Sequence, residues 1–198
     1  MENKKLSAYN VAVTGTLLAM VILLQTVLGS INLGFAELSF VLVPIVLGAM
    51  VCGVWTGAFL GFAFGVIVLI TGITGANQFT HVLFADHPVL TSLTCIVKGA
   101  AAGAAAGAAY NLLKNKNEKA ATIVAAIVAP TVNTGLFILG ALTMSGTIAA
   151  NFAGGNSVIY FLIIGCAGWN YVIEAAVNLI LAPSLYFVLK AVKNKTER

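Results

Sequence analysis

The chain has 198 residues, of which 60% are hydrophobic and 8% are charged, and its formal net charge is +4. Soluble domains carry about 25% charged residues, so this composition excludes an ordinary soluble protein and leaves no room for a sizeable soluble domain. The positive charge is not a nucleic-acid signature, because the lysines cluster at the ends of apolar segments, as membrane topology requires.

Six apolar segments follow one another and predict transmembrane helices, since about 20 apolar residues span a bilayer. They cover residues 8–29, 37–52, 54–75, 88–113, 119–143 and 158–189. The second segment is short for a full crossing, and the sixth is long enough to tilt. The sequence therefore predicts an all-α integral membrane protein with six transmembrane helices in a single domain, residues 1–198.

The positive charges predict the orientation of these helices. Nine of the ten lysines and arginines lie in three places: Lys4 and Lys5; Lys114, Lys116 and Lys119; and Lys190, Lys193, Lys195 and Arg198. Six crossings put all three places on one side, which the positive-inside rule makes cytoplasmic. We therefore expect cytoplasmic N- and C-termini, and outer loops at residues 30–36, 76–87 and 144–157.

Small residues recur at four-residue spacing in three of the predicted helices, which places each set on one helix face. The stripes are Ala8, Ala12 and then Gly15 and Thr16 in the first span; Gly53, Gly57, Gly61 and Gly65 in the third; and Gly99, Gly103 and Gly107 in the fourth. Such faces let helix backbones approach closely. Each stripe either packs inside the bundle or docks a helix of a partner protein.

Two charged residues, Lys98 and Glu174, lie near the middle of apolar segments. A charge at that depth costs about 2.5–3.5 kcal/mol on insertion scales, normally faces the bundle interior, and is a functional-site hypothesis by default. Asn133 adds a polar position at mid-depth in the fifth span. Lys98 and Glu174 each belong to a polar stripe. The stripe in the fourth span is His87, Thr91, Thr94 and Lys98, and the stripe in the sixth is Asn170, Glu174 and Asn178, with Tyr171 adjacent.

These polar residues allow more than one interpretation. Lys98 and Glu174 could form a structural ion pair, and the asparagines could simply join helices. The convergence of three helices at similar depth favours a polar pocket for a small hydrophilic ligand in the outer half of the bundle. No metal-binding, nucleotide-binding or catalytic motif is visible, so we expect no metal, no cofactor and no enzymatic activity.

Four stretches of the sequence, in this order and spacing, resemble the substrate-binding S-components of energy-coupling-factor (ECF) vitamin transporters. They are ELSFVLVPIVLGAMVCGVWTG from Glu37, HPVLTSLTCIVKGAAAG from His87, APTVNTGLFILG from Ala129 and WNYVIEAAVNLILAP from Trp169. The resemblance covers essentially the whole chain. It implies an S-component-like six-helix bundle in the bacterial plasma membrane that captures a micronutrient from outside.

The same resemblance implies partners and the place of the site. The partners are a transmembrane coupling subunit, which the first helix contacts through a stripe that maps to Ala8 and Ala12, and two cytoplasmic ATPase subunits. The substrate lies in the outer half, ringed by the fourth, fifth and sixth helices and covered by the loops after the first, third and fifth. The polar candidates named above fall on those three helices.

The vitamin is predicted from the charges and aromatic residues. Lys98 could neutralise a carboxylate or phosphate, and Glu174 could accept hydroxyl or amide donors, which suits pantothenate. Riboflavin is the second expectation, because aromatic side chains could stack on it. The candidates for stacking are Phe35, Phe79, Phe84, Phe137, Trp169 and Tyr171.

Other function classes fit the sequence less well. The main alternative is a non-transport scaffold or small channel assembled through the glycine stripes. An integral membrane enzyme is disfavoured because no catalytic constellation is visible, and a secondary transporter because the two halves show no inverted repeat.

Overall fold

The computed structural model describes residues 8–27, 32–33, 36–37 and 40–196, without the side chains of Tyr9, Asn32, Leu33, Ala36, Glu37, Trp169 and residues 193–196. Apolar runs become helices because a helix satisfies every backbone polar group within the segment, as a bilayer requires. The elements are α1 (Ala8–Val27), β1 (Asn32–Leu33), β2 (Ala36–Glu37), α2 (Leu42–Val51), α3 (Val54–Ile73), α4 (Gln78–Asp86), α5 (Pro88–Leu113), α6 (Glu118–Leu142), α7 (Ser145–Asn151), α8 (Val158–Tyr160), a π-helical segment (Phe161–Ala167) and α9 (Gly168–Thr196).

Within the described residues, five helices are long and apolar enough to cross a membrane, which agrees with the predicted all-α membrane fold. They are Asn10–Val27, Val54–Ile73, Pro88–Leu113, Glu118–Leu142 and the continuous helix Val158–Val192 that α8, the π-helical segment and α9 build together.

The second predicted span, residues 37–52, is shorter in the structure. Ala36–Glu37 pairs with Asn32–Leu33 in an antiparallel ladder, and α2 has only 10 residues. At 1.5 Å per residue it covers about 15 Å, roughly half of the hydrocarbon core. Leu42, Ile45 and Val46 on this helix are fully buried, so α2 fills the interior of the bundle.

Gly53 separates α2 from α3. Its φ angle is 101°, a backbone conformation that only glycine adopts without strain. The chain can therefore turn from the short buried helix directly into the next long one.

Two of the predicted outer loops contain short helices. Residues 76–87 include α4, which begins where the Asn77 side chain accepts a hydrogen bond from the Thr80 backbone N–H at 2.7 Å. An N-cap of this kind satisfies a backbone donor that the helix itself cannot pair. Residues 144–157 include α7. Both segments were expected to be loops, and the structure makes them partly helical.

The glycine stripes of α3 and α5 pack against each other. A Cβ atom on Gly57 or Gly61 would collide with the backbone carbonyl of Gly103 or Gly99 on the facing helix. The backbones therefore approach as closely as a small-residue interface allows. These parts of the two stripes are internal and are not available for docking a partner or for self-association, whereas Gly53 of the predicted stripe precedes α3 and has nothing within 4 Å of an added Cβ atom.

The interior consists of three apolar clusters. One joins α1, α2, α3 and α5, a second joins α2, α5, α6 and α9, and the third packs α4 and α7 on the π-helical segment.

Helix α1 packs through one face only. Leu17, Val21 and Gln25 are buried at four-residue spacing, whereas Ala8 and Ala12 are exposed. The two alanines precede Leu17 and Val21 by nine positions, which is two and a half helical turns. They therefore lie on the face opposite the bundle.

Candidate functional site

A polar cavity of about 70 Å³ lies among α1, α3, α4, α5, α6, the π-helical segment and α9. Its walls combine amide, hydroxyl and charged side chains with phenylalanine rings. The lining residues are Gln25, Phe64, Val68, Asn77, Phe79, Thr80, Lys98, Asn133, Thr134, Phe137, Cys166, Ala167, Asn170 and Glu174.

Four acceptor oxygens on the walls of this cavity are buried and, within the described residues, have no hydrogen-bond partner. They are Gln25 Oε1, Asn133 Oδ1, Asn170 Oδ1 and Glu174 Oε2. Leaving a buried polar group unpaired costs about 1–3 kcal/mol. Such groups are rare in native structures and need an explanation, and their convergence from α1, α6 and α9 on one cavity indicates a polar ligand.

Lys98 brings the positive charge of the site. Its Nζ lies 5.0 Å from the ring centroid of Phe137 and 5.9 Å from that of Phe64, within the range of a cation–π interaction. Since Glu174 Oε2 has no hydrogen-bond partner, Lys98 does not donate to that oxygen. Both charged groups line the same cavity, where each can face a ligand.

The structure brings together four of the nine predicted ligand contacts on the walls of this cavity: Lys98, Asn133, Asn170 and Glu174. Their helices are α5, α6 and α9, as the polar stripes predict. Thr134, which adjoins Asn133, also lines the cavity.

Two further predicted residues, Thr91 and Thr94, line a smaller neighbouring cavity that also touches Lys98. The hydroxyl of Thr91 donates to Met144 Sδ at 3.4 Å, and that of Thr94 donates to the Leu90 carbonyl at 2.8 Å. Both threonine hydroxyls of the α5 stripe therefore already donate their proton to a group within the protein.

The other three predicted residues line neither cavity. Asn178 is fully buried one turn along α9, where its Nδ2 donates to the Glu174 carbonyl at 2.8 Å. The Tyr171 hydroxyl shares a hydrogen bond of 3.2 Å with the Thr131 hydroxyl. His87 stands at the start of α5.

Sequence reasoning missed Gln25 of α1 and the polar residues Asn77 and Thr80 at the start of α4, although it named Phe79 of α4 as a stacking residue. Gln25 is only 3% exposed and reaches the cavity from α1, while Asn77 and Thr80 reach it from the start of α4. A signal for Gln25 existed, because it is a lone amide at four-residue spacing from Leu17 and Val21 on one face of an apolar helix.

Among the predicted stacking residues, Phe79 and Phe137 line the cavity, together with Phe64. Phe84 and Tyr171 do not. Phe35 and the side chain of Trp169 lie outside the described part of the chain.

Cysteines and other metal-ligating groups are dispersed. Cys95 and Cys166 are buried and Cys52 is half-buried. No group of three or more His, Cys, Asp or Glu side chains within the described ranges is placed to hold a metal ion.

Comparison with known proteins identifies a family. A family model described as "ECF transporter, substrate-specific component" matches residues 9–186. No curated protein gives a significant match. The family match covers nearly the whole chain and agrees with the resemblance found in the four sequence stretches.

Proposed function

Because the chain belongs to the family of ECF transporter substrate-specific components, we propose that its polar cavity binds a small water-soluble vitamin captured from outside the cell. The chain is a multi-pass membrane protein and the substrate-specific subunit of an importer. The proposal adds the site and the kind of substrate to this family assignment.

The observation that carries the proposal is the set of unpaired acceptors on the cavity walls. Gln25, Asn133, Asn170 and Glu174 each hold a buried oxygen without a partner, and Lys98 stands beside them. A ligand rich in hydroxyl and amide donors, with one anionic group, would satisfy this arrangement. A buried site built to hydrogen-bond its ligand also rejects analogues that lack those groups, because its own polar atoms would stay unpaired.

Pantothenate is the substrate we propose first. It carries a carboxylate for Lys98, and its amide and hydroxyl groups can donate to the acceptors of α1, α6 and α9. The cavity of about 70 Å³ has to expand for either vitamin, and it has to expand less for this slender molecule than for a fused ring system.

Riboflavin is the second candidate, because three phenylalanine rings line the cavity and could stack on a flavin. They are Phe64, Phe79 and Phe137. The flavin would require a larger opening of the cavity than pantothenate does.

Delivery across the membrane is assigned to partner subunits. We propose that the exposed face of α1 that includes Ala8 and Ala12 docks a transmembrane coupling subunit driven by two cytoplasmic ATPase subunits. The small side chains on this face would let a partner helix approach closely. In this arrangement the N- and C-termini are cytoplasmic and the cavity lies in the outer half of the bundle.

The proposal is tested by thermal unfolding of the purified protein with a panel of vitamins in the absence of ATP. We expect pantothenate to raise the melting temperature, because a ligand that binds only the folded state stabilises it. Lys98→Ala should abolish the shift, since truncating one partner of a buried charge pair costs about 2–5 kcal/mol of binding free energy.

The matched control is Lys190→Ala, which removes an exposed lysine of α9 far along the helix from the cavity residues. It should keep the full shift. If riboflavin alone stabilises the protein, the second candidate replaces the first. If no vitamin in the panel changes the melting temperature, or if both lysine variants respond alike, the proposed site is wrong.

A further inference from the structure

Two cavities meet at one pair of aromatic rings. The second cavity, of about 20 Å³, shares Phe79, Thr80, Lys98 and Phe137 with the polar cavity. The ring centroids of Phe79 and Phe137 are 5.8 Å apart with an interplanar angle of 54°. The two rings therefore line both spaces and lie close to each other.

The two cavities differ in chemistry. Beyond the shared residues, the smaller one is lined by Leu83, Thr91, Thr94, Cys95, Ala141 and Met144. Its two threonine hydroxyls already donate within the protein, one to Met144 Sδ and one to the Leu90 carbonyl. The polar cavity, in contrast, is lined by four unpaired acceptors. The smaller cavity therefore suits an apolar group.

Size requires the site to expand when a ligand enters. An engineered apolar cavity of about 150 Å³ holds a molecule as small as benzene, and the two spaces here, of about 70 and 20 Å³, stay below that volume even together. A vitamin-sized ligand therefore has to displace side chains, and the side chains that line both spaces are the candidates. Met144 on the far wall is an unbranched, adaptable side chain, so this wall can adjust to a new neighbour.

Lys98 stands at the junction, since it lines both cavities and its Nζ lies 5.0 Å from the Phe137 ring centroid. An anionic group on the ligand would draw this ammonium away from the ring. The Phe137 ring would then lose its cation–π contact and could rotate, which opens a way between the two spaces from the polar side.

We propose that Phe79 and Phe137 are specificity-determining residues that separate the polar cavity from an apolar subsite. The bound ligand passes between them: its anionic group draws Lys98 into the polar cavity, and a compact apolar group of about methyl size at the other end of the ligand enters the subsite. This inference rests on the proposed function, because it assigns the ligand body to the polar cavity.

The partition can be tested without any ligand, because each cavity has its own cysteine. Cys95 lines the smaller cavity and Cys166 the polar one. In a Cys52→Ala, Cys166→Ala background, Cys95 is the remaining thiol. We would measure its rate of modification by 2-sulfonatoethyl methanethiosulfonate, an anionic reagent that Lys98 should attract into the polar cavity.

Phe79→Leu should accelerate this modification about twofold to tenfold, the range that an aromatic pair is worth. Phe84→Leu is the matched control, because Phe84 lies on the same helix but lines neither cavity. Phe137→Leu serves if Phe79→Leu does not fold. Equal rates in the Phe79 and Phe84 variants, or no acceleration in either partition variant, would overturn the partition.

The second arm measures binding of pantothenate and of its homologue with one additional methylene. The additional methylene extends one methyl of the geminal dimethyl group, which is the compact apolar group of pantothenate. In Phe79→Leu the ratio of the two affinities should shift towards the homologue by about fourfold, the value of one buried methylene, and in Phe84→Leu it should not. An unchanged ratio in Phe79→Leu overturns the specificity role. If the unsubstituted protein binds neither compound, the proposed substrate fails, while the labelling rates still decide on the partition.

Discussion

The two sides of α5 show opposite ways of using a transmembrane helix. Towards α3, Gly99 and Gly103 place backbone against backbone with no space for even a methyl group. Towards α6 and α9, Lys98 faces a cavity whose walls leave buried oxygens unpaired. The first side maximises packing, and the second leaves polar groups unpaired where we propose that a ligand binds. We call the closely packed α3–α5 pair the frame of the proposed site.

Gly61→Val should break the frame and have the largest effect. A Cβ atom at Gly61 collides with the Gly99 carbonyl, and the obstacle is backbone that cannot rotate away. Overpacking costs about 1–3 kcal/mol or more, which lowers the melting temperature of a chain this long by about 10 °C at the upper end. Thermal unfolding in detergent measures the change.

Gly135→Val is the matched control, because a Cβ atom at this position of α6 meets nothing within 4 Å. Its melting temperature should be close to that of the unsubstituted protein. If both valine variants unfold at the same temperature, the close α3–α5 contact is not the frame that we describe.

Asn133→Leu tests whether an unpaired polar group on the cavity side of the bundle is kept for ligand binding at a cost in stability. Asn133 is 6% exposed and its Oδ1 has no partner, so leucine removes an unmet polar group and should raise the melting temperature slightly. Binding should weaken about tenfold to a hundredfold, since a ligand group that loses its buried hydrogen-bond partner costs about 1–3 kcal/mol. Isothermal calorimetry with pantothenate reports the affinity.

Thr122→Val provides the opposite case on the same helix. The Thr122 hydroxyl is fully buried and donates to the Glu118 carbonyl at 3.0 Å. Its removal should leave binding unchanged and should not stabilise the protein. A loss of stability in Asn133→Leu together with unchanged binding would mean that the amide joins helices rather than holding a ligand.

The sequence could predict the long helices and the positions of the small and charged residues along them, because these features depend on composition along the helix axis. Apolar length gives the long helices, four-residue spacing gives the glycine faces, and a charge at mid-depth gives Lys98 and Glu174. These signals need no knowledge of how the helices are arranged. The same signals predicted three of the elements that surround the cavity.

The remaining features depend on helix rotation, tilt and local backbone geometry, which hydropathy does not specify. Asn170 lines the cavity while Tyr171, the next residue, bonds to Thr131 instead, because neighbours on a helix point about 100° apart. Asn178 shares the face of Glu174 but lies one turn further along. The π-helical segment Phe161–Ala167 adds an irregular turn immediately before α9, and no pattern in the sequence predicts it.

Thr147→Val tests the boundary between the site and the outer helices, and we expect it to have the smallest effect. The Thr147 hydroxyl of α7 donates to Asp86 Oδ2 at the end of α4 at 2.9 Å, and α4 supplies Phe79 and Thr80 to the cavity. A hydrogen bond of this kind is worth about 0.5–1.5 kcal/mol net, so its loss should speed ligand dissociation about two- to tenfold. Thr143→Val is the control, because the Thr143 hydroxyl donates only to the Gly140 carbonyl of its own helix end, at 2.6 Å. Dissociation rates that are equal in the two variants would mean that α7 does not help to cover the site. A faster rate in Thr147→Val alone would mean that contacts between α4 and α7 close the cavity, whereas the α3–α5 frame is held by backbone packing.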